Sequence, residues 1–196
     1  MKGMDKLLSC VVMVTLLITV LLTSGCVEDD TSGTPEALMS SFVESINNKD
    51  GELFMELLVD NEFLSDDVFE EIPMEEEEFK EYLEDMKSAI DDGEAYVESY
   101  EIEELIYLED MEEDNRTQSE EIMEMLNDSE YFQGDISDMC TIILDWDATV
   151  DEDSPIYWVA DLGDFDDLFL LEIEGKWYNP MPGTAISAVL YTEIDG

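Results

Sequence analysis

Every second residue from Cys140 to Val150 is apolar: Cys140, Ile142, Leu144, Trp146, Ala148 and Val150. Side chains of a strand point alternately to its two faces, so this run buries one whole row only as a long β-strand lying on a core. The other row, Met139, Thr141, Ile143, Asp145, Asp147 and Thr149, holds the polar groups. A strand so long needs neighbours. Ile156–Leu162 and Leu168–Ile173 read as further strands, and Gly175-Lys176 as a turn into Trp177-Tyr178.

Upstream the period is helical. Leu38, Phe42 and Ile46, with Met39 and Val43, form one face behind Thr34-Pro35, an N-cap followed by proline in the first helical position. Asn47-Asn48-Lys49 breaks this helix, and Asp50 can cap a second through Leu53, Phe54, Leu57 and Leu58. A third helix opens at Pro73, with Phe79, Leu83, Met86 and Ile90 along one side and Gly93 as its stop. Glu75 to Glu78 load its first turn, where carboxylates meet the positive end of the helix dipole, and Glu76 stands four residues before Lys80.

Beyond Gly93 the period changes to two. Tyr96, Tyr100 and Ile102 share one parity while Leu105 and Tyr107 favour the other, which a bulge near Glu103-Glu104 reconciles. Thr117 with Glu120 matches a capping box and predicts a short helix through Ile122, Met125 and Leu126. Thr184–Tyr191 fits either a helix or a strand. Helices first and consecutive antiparallel strands afterwards predict one α+β domain over residues 34–196, with the helices, N-terminal ones foremost, on one side of a curved meander.

The first 26 residues have another character. Lys2 and Lys6 precede an uncharged run over residues 7–22, longer than the usual signal core and shorter than the ~18–20 residues of a spanning helix. Thr23-Ser24-Gly25-Cys26 follows, and then acid at Glu28-Asp29-Asp30. Small residues before a cysteine resemble the lipobox of prokaryotic lipoproteins, although Thr23 stands where an aliphatic residue is preferred. The resemblance implies that Cys26 is lipidated and becomes the first mature residue. The alternative is an uncleaved signal anchor using residues 7–22. Both put the domain at the outer face of a cell membrane, with lipid as its first partner and residues 27–33 as a polar tether.

Charge narrows the function classes. The chain carries 54 Asp+Glu against 7 Lys+Arg, a net −47, and no histidine. Such a surface repels phosphate backbones, so nucleic acid is excluded as a partner. At 10% aromatic and 45% hydrophobic, the chain is too apolar for a disordered acidic tail. Without histidine there is no Ser-His-Asp or Cys-His catalysis and no histidine-ligated metal. No glycine-rich phosphate loop is present, and no cofactor is expected. Cys10 and Cys26 belong to the leader, which leaves Cys140 as a small buried hydrophobe.

Carboxylates and tyrosines are the remaining chemistry. Asp145 or Asp147 with Tyr107 is the one catalytic arrangement available to a carboxylate-based isomerase or hydrolase, and it requires a buried aspartate. Asp145, Asp147, Asp151 and Asp153 form a candidate cation site, and Asp161, Asp164, Asp166 and Asp167 a second acidic cluster. Hard cations take six to eight oxygens, and the first cluster departs from a twelve-residue calcium loop at Val150 and Ile156, where glycine and glutamate belong. Asn115-Arg116-Thr117 and Asn127-Asp128-Ser129 are glycosylation sequons, which makes Asn115 and Asn127 candidate modified positions.

Thr34-Pro35-Glu36 opening a helix pair, Asn47-Asn48-Lys49-Asp50 between its members, and a late Glu174-Gly175-Lys176-Trp177-Tyr178 strand end resemble the nuclear-transport-factor-two-like superfamily, notably its small exported lipoproteins. Residues 34–60 and about 139–180 carry the likeness, and the acidic middle, 61–138, departs from it. The resemblance implies a cone of curved antiparallel sheet on helices, often around a pocket, without implying an activity. The expectation is a non-enzymatic module that binds a small apolar ligand or an envelope protein. The alternative is an acidic envelope protein that responds to cations.

Overall fold

A computed structural model describes residues 33–58, 63, 65, 68–69, 76–164 and 168–180. The export segment, Cys26, most of the tether, Pro73, Asp166, Asp167 and Thr184–Tyr191 lie outside them. Among the described residues no helix is long and apolar enough to cross a membrane.

Helix α1 runs Pro35–Asn48, and the Thr34 hydroxyl accepts the Ala37 N–H at 3.2 Å. It ends as Lys49 turns left-handed at φ 59°, and the Asp50 carboxylate then caps α2, Gly51–Leu57, by accepting the Leu53 N–H at 3.1 Å. Helix α3, Glu76–Asp92, stops at Gly93, whose φ of 79° suits a residue without Cβ. Lys80 pairs with Glu76 one turn away. Lys49 reaches across to donate to the Asp92 carbonyl at 3.0 Å, putting a cation on the negative end of α3. Gly51 is needed for close approach, since a Cβ there would meet the Lys87 carbonyl of α3 at 2.5 Å.

Four antiparallel strands follow in the order β1-β2-β3-β4: Ala95–Tyr107, Ile136–Val150, Leu168–Ile173 and Lys176–Tyr178. They curl into a half-barrel against the helices. On the inner face, Cys140, Ile142, Leu144, Leu168, Leu170 and Trp177 join Leu38, Phe42 and Ile46 of α1, Phe54 of α2 and Ile90 of α3 in the main core. Each such side chain removed from water contributes about 1.5–3 kcal/mol. The turn into β4 uses Glu174 and Gly175, both at positive φ, which matches the twist of a tight hairpin.

The pairing of β1 with β2 confirms a bulge at Glu103 and adds a second at Glu98. Each extra residue flips the parity of β1. Ala95 and Val97 are therefore buried before Glu98, Tyr100 and Ile102 are partly buried between the bulges, and Leu105 and Tyr107 turn inward after Glu103. Tyr96, expected to share the face of Tyr100, lies on the other side of the Glu98 bulge and is 55% exposed.

Three further expectations are corrected. Ile156–Leu162 is not a strand but two 3-10 turns, Tyr157–Val159 and Leu162–Asp164. Its buried residues Ile156, Val159 and Leu162 recur every third position, the period of a 3-10 helix. Helix α4 spans Glu113–Asp128, beginning four residues before the expected Thr117 cap. Inside the helix the Thr117 hydroxyl donates back to the Glu113 carbonyl at 2.7 Å, the usual outlet for a mid-helix threonine. Nor do the helices keep to one side: α4 packs on the outer face of the sheet. There Ile122, Met123 and Leu126 meet Ile136, Met139, Phe169, Leu171 and Ile173, with Phe63, Val68 and Phe132, in a second core.

Candidate binding cleft

After Tyr107, β1 leaves the sheet through a 3-10 turn, Leu108–Asp110, and the chain crosses to the outer face. Met111 is 8% exposed and anchors the crossing; its sulfur accepts the Ser119 hydroxyl at 3.5 Å. The far end of α4 is held by Asn127, whose amide accepts the Ile136 N–H at 2.8 Å and donates to the Ile136 carbonyl at 3.0 Å. Ile136 precedes a bulge at Ser137, where a strand's own ladder is interrupted. Asn47, near the end of α1, grips Val97 in the same two-bonded way beside the Glu98 bulge, at 2.9 and 3.1 Å.

Between α4 and the sheet lies a cleft of about 680 Å³. Ile106, Met139, Thr141 and Phe169 line it from the strands, and Asn115, Gln118, Ser119 and Ile122 from α4. Leu105 and Met111, with the carboxylates of Glu104, Asp110 and Glu112, complete the wall. The ion pairs among the described residues, Lys80 with Glu76 and Arg116 with Glu120 at 3.9 Å, involve none of these three carboxylates. The volume falls within the roughly 300–1,000 Å³ of small-molecule sites, with a lining more polar than most of them present.

The residues singled out by sequence are dispersed. Asp145 and Asp147 project from the outer face of β2 and are exposed, opposite Glu101 and Ser99. Tyr107 faces inward, edge-on to Trp177 with ring centroids 6.0 Å apart. The tyrosine pairs with Cys140, five residues along β2 from Asp145, which is roughly 17 Å of strand. No buried aspartate and tyrosine come together there. Burial, and then the nearby Glu36 carboxylate, push the Tyr107 phenol above its ordinary pKa. Asp151 and Asp153 are exposed beyond the end of β2, and among the described residues no three carboxylates converge as metal ligands.

Cys140 is fully buried, and burial pushes its thiol up to about 12. Asn115 is exposed at the cleft. The second sequon asparagine, Asn127, has its side-chain nitrogen occupied by Ile136. The sequence led one to expect a pocket enclosed by the curved sheet; this cleft lies instead on the outer face beside α4, and its lining residues were not singled out. Its signal was the apolar surplus on the polar parity of β2, Met139 and Ile143, together with Ile106 between two inward-facing neighbours. Compared with family models, with curated proteins and with solved structures, the chain matches none of them.

Proposed function

We propose that the protein is an extracytoplasmic lipoprotein, anchored through Cys26, whose domain is a non-enzymatic carrier or sensor of a small ligand held under α4. The observation that carries this reading is the cleft: a sheet surface with Ile106 and Phe169 kept partly uncovered, Met139 beneath them, and α4 tied to the sheet through Asn127. The export segment supports the location and the exposed aspartates on β2 speak against a carboxylate base. Protein taken gently from its own membrane should show an intact mass beginning at Cys26 with two acyl chains, plus a ligand adduct. Thr141→Phe, which fills the cleft, should remove the adduct and leave the acyl chains. An adduct that survives this substitution would place the ligand elsewhere.

A second reading, a cation-responsive envelope protein, draws on one observation: Glu101 lies directly opposite Asp145 in the β1–β2 ladder. Like charges in that relation destabilise a sheet unless counter-ions screen them. Unfolding midpoints that rise with micromolar to millimolar calcium at constant ionic strength favour this reading; midpoints that follow ionic strength alone oppose a dedicated site.

A further inference from the structure

The cleft has a charge as well as a shape, and the charge selects among ligands. Its floor is apolar at Ile106, Met139 and Phe169, whereas its acidic groups are Glu104, Asp110 and Glu112, with no lysine or arginine in the lining. Neither ion pair of the described residues reaches those carboxylates, and all three are exposed at the rim of the cleft. A neutral apolar molecule would cover the floor and gain nothing from the exposed carboxylates of the rim. An anionic amphiphile would add repulsion. A molecule with an apolar body and an ammonium head satisfies both parts of the wall.

We infer that the cleft binds a cationic amphiphile, its apolar body on Ile106, Met139 and Phe169 and its ammonium group at the acidic rim that carries Glu104, Asp110 and Glu112. This rests on the proposed ligand-binding role of the cleft and specifies the class of ligand.

The test uses the full chain in nanodiscs of zwitterionic lipid, with the Met139 methyl group observed by NMR during titration with decyltrimethylammonium or with uncharged decyl maltoside. Partition of each probe into the lipid is common to all variants, so differences between variants report the protein. The ammonium probe should shift the Met139 resonance saturably and bind about tenfold more tightly than the maltoside, as three exposed charge contacts allow. Glu104→Gln, Asp110→Asn and Glu112→Gln together should erase that preference. Glu56→Gln, Glu84→Gln and Asp85→Asn, which remove as much charge from exposed positions on α2 and α3, should preserve it. Equal loss in both triple variants would reduce the effect to the global charge and overturn the inference. Equal affinity for the two probes would overturn the cationic class and keep the binding cleft. Absence of any Met139 shift with either probe would sink the cleft as a ligand site altogether.

Discussion

The two faces of β2 are covered by different means. Its inner face lies on α1, α2 and α3 with six or more fully buried side chains, and the row from Cys140 to Leu144 is buried without interruption. Its outer face is covered at one end only, by α4 and a few aromatic residues, and further along it opens first into the cleft and then onto Asp145 and Asp147. One strand thus serves a closed core on one side and an interrupted one on the other. Stability comes chiefly from the closed side, and adaptability is left to the open side.

That contrast can be broken most severely at the closed side. Phe42→Ala, removing a ring 5.1 Å from Phe54, should cost about 3–5 kcal/mol in denaturant unfolding and raise amide exchange throughout the domain. Leu126→Ala, the fully buried residue of α4, should cost about 2–3 kcal/mol and raise exchange chiefly in α4 and the start of β2. Uniform exchange in both variants would mean that the two cores open as one.

Smaller changes sharpen the comparison. Asn47→Ala and Asn127→Ala remove equivalent clamps, each leaving a backbone N–H and carbonyl to find new partners. The half-buried Asn47 should cost about 2 kcal/mol and the exposed Asn127 about 1 kcal/mol, because the Asn127 side chain itself already shares its site with water. Smallest are the threonines: Thr34→Ala should cost about 1 kcal/mol as a true cap, while Thr117→Ala should stay within about 0.5 kcal/mol. Both are read from the shift of the unfolding midpoint.

The closed side was also the legible one. Helical spacing at Leu38, Phe42 and Ile46, the caps at Thr34 and Asp50, the stop at Gly93 and the apolar row of β2 all obey a single period, and the structure follows each of them. The open side uses residues whose pattern is ambiguous. Thr117-x-x-Glu120 has the form of a helix start, yet α4 begins at Glu113 without a side-chain cap; the acidic first turn, Glu113 and Asp114, was the better signal. The Glu98 bulge left no mark in composition, because a bulge is set by its partner strand. Asparagine clamps are invisible for the same reason: Asn47 and Asn127 have the composition of helix ends, and their bonds lie with residues far along the chain or across a turn. The cleft depends on where α4 docks, which no local period encodes.

The two clamps also bear on how the molecule ages. Each works because an amide offers a hydrogen to a carbonyl and an oxygen to an N–H at once. Slow hydrolysis of that amide to a carboxylate keeps the oxygen and loses the hydrogen. At Asn47 the product would press a negative oxygen against the Val97 carbonyl, and at Asn127 against that of Ile136. A protein already carrying −47 charges would gain one more at each place where a helix is tied to the sheet. Old chains would therefore loosen first at the strand starts.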